Sequence, residues 1–486
     1  MSKAHKMDAD LHAIAEAREL LLRARRAADK LSRCEPAELD GWVRVMGRAA
    51  EAASAELAEL AVRETGFGVV EDKKLKNRLA AVEVRESILP QRLLGVLERD
   101  TARGVVVYGV PMGVVAAIIP CTNPTSTAVF KALIGIKAGC AVVMSPHPRS
   151  VECTRRAVEV CRTALADAGG PADALACLSG AQSTATQELM SHALTDVILA
   201  TGGTGLVRAA YSSGKPAFGV GPGNVPVYID RSADAADAVA KAFRGTTFDN
   251  GTVCASEQAL VVDAPIVAEV RAACRAEGGV FLDEAQRLRL AEYLFGGGRF
   301  NAAAVGRDAF EVARGAGLEV PPDTRVLLVE PDGVGPDHPL SGEKLCPVLA
   351  FYTVEGWRAG CERCVELLRH GGLGHTLALH ARNAEVIESF AREKPVCRVL
   401  VNTCSALGAV GATTHLEPSL TLGPGAWGGS ATGDNVSARH LTNRKRLAWD
   451  RDDLPEFEDP RAEEITDERL RQVVRRVLDE LGGFSD

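Results

Sequence analysis

Cys254 is the first residue with the right type and setting for chemistry. It stands in Phe248-Asp-Asn-Gly-Thr-Val-Cys-Ala-Ser-Glu257, shortly after Asn250-Gly251. A glycine at that point lets the backbone turn sharply or approach a ligand closely. The apolar stretch Glu257–Asp263 that follows reads as a short strand entering a new layer. Cys254 is therefore expected on a loop between two units of structure, where catalytic side chains tend to lie. A thiolate there could attack an electrophilic carbon. A buried thiol serving as a small hydrophobe is the competing reading.

Five other stretches carry polar groups or glycines at the ends of apolar runs. Pro120-Cys-Thr-Asn-Pro124 puts Asn123 after one such run and before a helix. Its amide could stabilise an oxyanion on a carbon attacked by a thiolate, or it could simply form a turn before proline. Ser145-Pro-His-Pro148 offers Ser145 and His147, the histidine as an acid, base or cofactor contact, or as a plain helix-entry residue. Thr201-Gly-Gly-Thr-Gly205 ends a strand and opens a helix, a place suited to phosphate although it is not a GxGxxG. Gly219-Val-Gly-Pro-Gly-Asn224 is a second glycine-dense loop, and Glu343-Lys-Leu-Cys-Pro347 places a carboxylate before a strand, where it could hold a ribose or face solvent.

The elements that must position these groups follow from hydrophobic period. Residues 8–98 read as helices interrupted at Gly66-Phe-Gly68. At Gly104 the period changes, and Val105–Val107 and Val114–Ile119 flank a Pro/Gly turn, a hairpin over Arg103–Ile119. Apolar strands then alternate with helices to residue 250, and again from Cys254 to Val401. Such alternation predicts an α/β protein: two α/β domains with parallel-sheet cores, the first over residues 1–250 and dinucleotide-binding, the second over 251–435 carrying the thiol. Residues 450–464 are acidic with Pro455 and Pro460 and read as a linker. Residues 465–486 read as an amphipathic helix with Leu470, Val473, Val474, Val477, Leu478 and Leu481 on one face.

Composition narrows the class. The chain has 486 residues, too many for one ordinary core. A formal charge of −8 and 5% aromatics give no basic, aromatic-studded surface for nucleic acid. The longest charge-free run, between Arg103 and Lys131, is broken by Pro111, Pro120 and Pro124, so no membrane span is expected. Thirteen scattered cysteines without a secretory signal suit free thiols in a reducing cytoplasm. Cys361-Glu-Arg-Cys364 lacks a second pair, so no metal is expected.

Taken together these stretches resemble the aldehyde dehydrogenase superfamily, and within it the CoA-acylating acetaldehyde and propionaldehyde dehydrogenases. The resemblance rests on Glu71-Asp-Lys-Lys-Leu-Lys-Asn77, Thr122-Asn-Pro-Thr125, Ser145-Pro-His-Pro-Arg149, Ala200-Thr-Gly-Gly203, Gly219–Asn224, Phe248–Gly251 with Cys254–Glu257, Gly371-Gly-Leu-Gly-His-Thr376, and Leu422-Gly with Trp427-Gly-Gly429. It implies an aldehyde dehydrogenase-like fold with a small oligomerisation hairpin, on which residues 436–449 pack, and a homodimer or homotetramer. It implies Cys254 as nucleophile, Asn123 and the Cys254 N–H as oxyanion hole, Glu343 on the nicotinamide ribose, and Gly202, Gly203 and Gly221 against the cofactor.

Two departures carry meaning within that resemblance. Hydrolytic members bear a water-activating Glu in Glu-Leu-Gly-Gly-Lys, whereas the matching stretch here is Val220-Gly-Pro-Gly-Asn224. Coenzyme A is then the expected acceptor of the acyl group from a short-chain aldehyde, with NAD as oxidant. A hydrolytic dehydrogenase and a non-catalytic descendant are the alternatives. The usual Lys on the adenosine ribose is replaced by Ser145-Pro-His147, which leaves NAD and NADP both open. The chain's end at Asp486 leaves no room for an appended alcohol dehydrogenase. The tail 465–486 either packs on the enzyme or resembles the peptides that carry such enzymes into bacterial microcompartments by docking on shell proteins.

Overall fold

A computed structural model describes residues 3–452. Its strands are β1 (Gly95–Asp100), β2 (Val105–Pro111), β3 (Val114–Ile118), β4 (Ala141–Ser145), β5 (Leu175–Cys177), β6 (Val197–Thr201), β7 (Ala217–Val220) and β8 (Val225–Ile229). They continue as β9 (Glu257–Asp263), β10 (Gly279–Phe281), β11 (Val326–Val329), β12 (Val348–Val354), β13 (Gly374–His380), β14 (Val396–Val401) and β15 (Thr442–Ala448). The chain divides into two compact units. The smaller is built from Leu94–Gly109 and the described residues from Arg444 on, the larger from the rest.

The smaller unit is the body of a three-stranded sheet, β1-β2-β15, in which β1 and β2 pair antiparallel from Gly95↔Gly109 to Asp100↔Val105. The hairpin thus spans Gly95–Pro111, not Arg103–Ile119, and the helical stretch expected to residue 98 ends earlier, at Ile88. Val114–Ile118 is instead a parallel strand between β4 and β6. The two β-branched runs look alike in sequence, but all five residues of β3 are buried, as a strand covered on both faces must be. Gly113 makes the break: its φ is +121°, and a Cβ there would lie 2.1 Å from the Asp196 carboxylate that accepts the Val114 N–H.

Two parallel sheets form the larger unit. The first has the order β5-β4-β3-β6-β7, the doubly wound pattern in which strand order reverses between β3 and β6. Lys131, fully buried on helix Pro124–Lys137, donates to the carbonyls of Ile118 at 2.7 Å and Leu199 at 2.9 Å, so it ties β3 and β6 together near their carboxyl ends. The second sheet has the order β10-β11-β12-β9-β8-β13-β14, every pair parallel.

Strand β8 is the notable member of that second sheet. It was expected in the dinucleotide domain, yet Val227 pairs with Leu260 of β9 and with Ala378 of β13. Helix Ala235–Thr247 follows it, burying Val239, Ala242 and Phe243 against Leu260, Leu328 and Phe351. Burying Val239 and Phe243 contributes about 1.5–3 kcal/mol each. The expected boundary at residue 250 therefore moves to the loop 221–224. Apolar β–α alternation is the same in both sheets, and the local pattern does not say which sheet a strand joins. The linker beyond residue 452 and the helix 465–486 lie outside the described residues.

Candidate active site

The loop Gly221–Asn224 leaves the carboxyl end of β7 and enters the amino end of β8, so the two sheets meet end to end around it. The carboxyl ends of β3, β4, β6 and β7 and the loops leading into β9 and β12 line one cavity of about 970 Å³. All eight residues singled out from the sequence (Asn123, Ser145, His147, Gly202, Gly203, Gly221, Cys254 and Glu343) line that cavity.

Its nucleotide-facing end is built from glycines and short side chains. Gly203 caps helix Thr204–Tyr211, and a Cβ on Gly203 or Gly221 would meet no protein atom within 4 Å, so both present bare backbone to open space. At the end of β6 the Thr201 hydroxyl is buried without a hydrogen-bond partner. Bare backbone, a helix N-terminus and an unsatisfied hydroxyl at a doubly wound switch point fit the phosphates and ribose of a dinucleotide. Ser145 is buried with its hydroxyl 2.7 Å from that of Thr186. His147 Nδ1 accepts the Arg149 N–H at 3.1 Å, and burial with the nearby Arg149 lowers the pKa of its ring.

At the reacting end, Cys254 sits just before β9, half-buried. Burial pushes its thiol up to about 12, with Glu343 adding to the rise and Arg398 opposing it. Glu343 Oε1 accepts the Gly223 N–H at 3.2 Å, and burial raises its carboxyl to about 7. Gly223 passes close against the Cys254 backbone: a Cβ there would lie 2.2 Å from the Cys254 carbonyl oxygen and 3.3 Å from the His375 ring. Glu343, Gly223 and Cys254 are thus locked in one stack that tolerates no side chain at its middle.

Asn123 faces the same loop. Its Nδ2 donates to the Thr252 carbonyl at 3.2 Å and to the Thr122 hydroxyl at 3.1 Å, and its Oδ1 accepts from Lys76. Lys76 and Lys73, both buried on helix Val70–Arg78, converge on Asp249, the Lys73 contact being 2.9 Å. Asp249 is itself buried, sits at φ +49°, and also accepts the Val69 N–H at 2.8 Å. Glu257, three residues past the thiol, accepts the Ser405 N–H at 2.5 Å and so fastens the Cys254 loop to the segment that contributes Ala406 and Leu407 to the cavity wall.

Sequence reasoning assigned no role to Lys73, Lys76, Asp249, His375 or Arg398. The first four lie inside stretches that carried the resemblance, and two lysines three apart on one helix were the available signal for a shared partner. His375 is buried beside Thr376, 2.9 Å between Nδ1 and the hydroxyl, with Nε2 unpartnered and the ring pushed down to about 3 by burial and Arg398. Arg398 fans over the carbonyls of Gly423 at 2.7 Å and Gly433 at 3.1 Å; nothing in its local sequence announces that. Cys361 and Cys364 are buried free thiols, and no group of three or more His, Cys, Asp or Glu among the described residues is arranged for a metal.

Comparison with known proteins agrees with this geometry. The model of the aldehyde dehydrogenase family matches residues 6–278. The bifunctional aldehyde-alcohol dehydrogenase AdhE of Escherichia coli K12 is 38% identical over 440 residues, covering 90% of this chain and 49% of its own. The chain thus spans about half the length of the first curated relatives it matches. The acylating sulfoacetaldehyde dehydrogenase of Cupriavidus necator is 38% identical over 435 residues, 88% of each chain. The crystal structure of an acetylating aldehyde dehydrogenase from Geobacillus thermoglucosidasius superposes with a TM-score of 0.90 at 47% identity, over 92% of this chain and 99% of that one. A thiol between two parallel sheets, a crevice at a doubly wound switch point beside it and relatives of this closeness together make the chain a member of the aldehyde dehydrogenase family.

Proposed function

We propose that the protein oxidises a short-chain aldehyde with NAD and coenzyme A, giving acyl-CoA, NADH and a proton. The Cys254 thiolate adds to the carbonyl carbon, and the oxygen, now an oxyanion, is held by the Cys254 N–H and by Asn123 Nδ2, which exchanges its Thr122 contact for it. Bound NAD at the Gly202-Gly203 turn supplies the acceptor for the hydride lost when the adduct collapses. The thioester left on Cys254 is transferred to the CoA thiol, which returns Cys254 as a thiolate. Ser145, His147, Gly202, Gly203, Gly221 and Glu343 hold the cofactor in this reading.

The observation that carries the choice of acceptor is at the end of β7. Val220, at the position of the water-activating Glu, is a buried wall residue without a carboxylate. Glu83 and Glu343 are the carboxylates lining the cavity among the described residues, and Glu343 is engaged by Gly223. Leu79, Phe248, Leu407, Val410 and Leu420 make the wall near the thiol apolar, which suits acetaldehyde or propionaldehyde. Under this reading the enzyme works in the cytoplasm as a homodimer or homotetramer, and the tail 465–486 is the segment that would dock on the shell of a microcompartment.

Product analysis tests the reaction. With CoA the product is acyl-CoA and turnover is sustained. Without it, rapid quench shows a burst of NADH near one per active site and then a stall. Steady formation of free acid in the absence of CoA would overturn the proposal.

A further inference from the structure

Lys76 takes no part in the steps above, yet its ammonium is buried within hydrogen-bond reach of the oxyanion-binding amide. We propose that Lys76 is a positioning residue for Asn123: anchored on Asp249, it fixes which end of the Asn123 amide faces the aldehyde oxygen and so sets the rate of the hydride-yielding step. This rests on the reaction proposed above.

The direction of the amide follows from donor chemistry. An ammonium has donors and no acceptor, so the Asn123 atom it touches must be the carbonyl oxygen. The NH2 end is then turned the other way, toward Thr252 and Thr122, and Thr252 lies two residues before the nucleophile. With the amide flipped, two donors would face each other at Lys76, and an oxygen lone pair would confront the developing oxyanion. An amide whose oxygen is already held by a cation is also the better donor through its nitrogen.

The anchor is over-determined. Asp249 accepts from Lys76, Lys73, Thr252 Oγ1 and the Val69 N–H, while its own N–H donates to Asp72 at 2.7 Å. Its left-handed backbone, continued at Asn250, is uncommon for a residue other than glycine. Such conformations persist where their surroundings hold them, and they concentrate at functional sites. Lys76 thus faces Asp249, Lys73 and Asp72, with the Phe248 ring 5.9 Å away. No freedom is left for its ammonium except toward Asn123.

A double-mutant cycle reads the coupling. Lys76→Met, Asn123→Ala and the double variant are compared by single-turnover NADH formation, a step that precedes CoA, alongside NAD affinity and aldehyde KM. Lys76→Met lowers the single-turnover rate about 100-fold, the scale of one lost oxyanion donor, with KM and NAD affinity little changed. In the Asn123→Ala background the same substitution costs less than about 3-fold. Lys76→Gln, a neutral donor one atom shorter, recovers part of the rate, and it replaces Lys76→Met in the cycle should that variant not fold. Losses that multiply independently in the two backgrounds, or that appear in KM alone, overturn the proposal. Steady acid formation without CoA would refute the acylating reading while leaving this coupling measurable, so the two failures are told apart.

Discussion

At the residue scale the site's main tension is a proposed nucleophile, Cys254, held mostly as a thiol. Enclosure and Glu343 hold Cys254 near 12, far above neutral pH, so the reactive thiolate is a minor species without ligand. Alkylation of Cys254 by iodoacetamide, followed by peptide mass spectrometry, should therefore accelerate with pH across about 7–10, roughly tenfold per unit. NAD, whose nicotinamide ring is cationic, should accelerate it at fixed pH. A rate that is flat above pH 8 would show that the thiol titrates lower. Cys254, Asn123 and Glu343 stood out only through the family resemblance, since locally each also reads as a buried thiol, a turn residue before proline or a surface carboxylate. Asp249 was harder to see: its neighbours Val69, Lys73 and Lys76 lie over 170 positions away, and only folding brings them within 3 Å.

At the element scale the crevice depends on Lys131. The alternating pattern revealed helix Pro124–Lys137 and its neighbouring strands, but not that a lysine in that helix ends on two strand carbonyls. Burial depresses its pKa from the ordinary value near 10.5 to about 7. The unfolded chain then binds the proton more tightly, so this group adds stability as pH rises from about 7 to 10.5 and withdraws it as pH falls through that window. Lys131→Met should lose about 2 kcal/mol by leaving the Ile118 and Leu199 carbonyls unpaired. The gap between wild type and variant should widen with pH from 7 to 10 in urea titrations. A gap that stays flat over that range would mean the amine is charged in the folded protein. The misread hairpin belongs to this scale too: Val105–Pro111 and Val114–Ile118 differ in which sheet they enter, a matter decided by Gly113 and Asp196 rather than by either run.

At the scale of the whole molecule, sequence reveals two parallel sheets but not their shared seam. The pattern places a break near residue 250, beside the nucleophile, whereas the chain crosses between sheets at Gly221–Asn224. Among the described residues no helix is long and apolar enough to cross a membrane. The proposed assembly is checked by light scattering, which should read at least a dimer at micromolar concentration. Deleting residues 465–486 should leave that mass and the activity unchanged while abolishing co-sedimentation with microcompartment shell proteins. Loss of the oligomer on deletion would make the tail structural instead.

The place of β8 between β9 and β13 has a consequence for how the chain is made. Its two neighbours lie about 30 and 150 positions further along the sequence, as Val227↔Leu260 and Val227↔Ala378 show. On a ribosome working at about 5–20 residues per second, one edge of β8 waits roughly ten seconds or more for its partner to emerge. During that time it presents an apolar, all-buried edge of the kind that recruits other chains. In the first sheet, complete by Val220, the longest wait is about half as long, Val115↔Val197 lying 82 positions apart. Synthesis thus divides into an early half able to close on itself and a late half exposed until β13 arrives, and the nucleophile belongs to the late half.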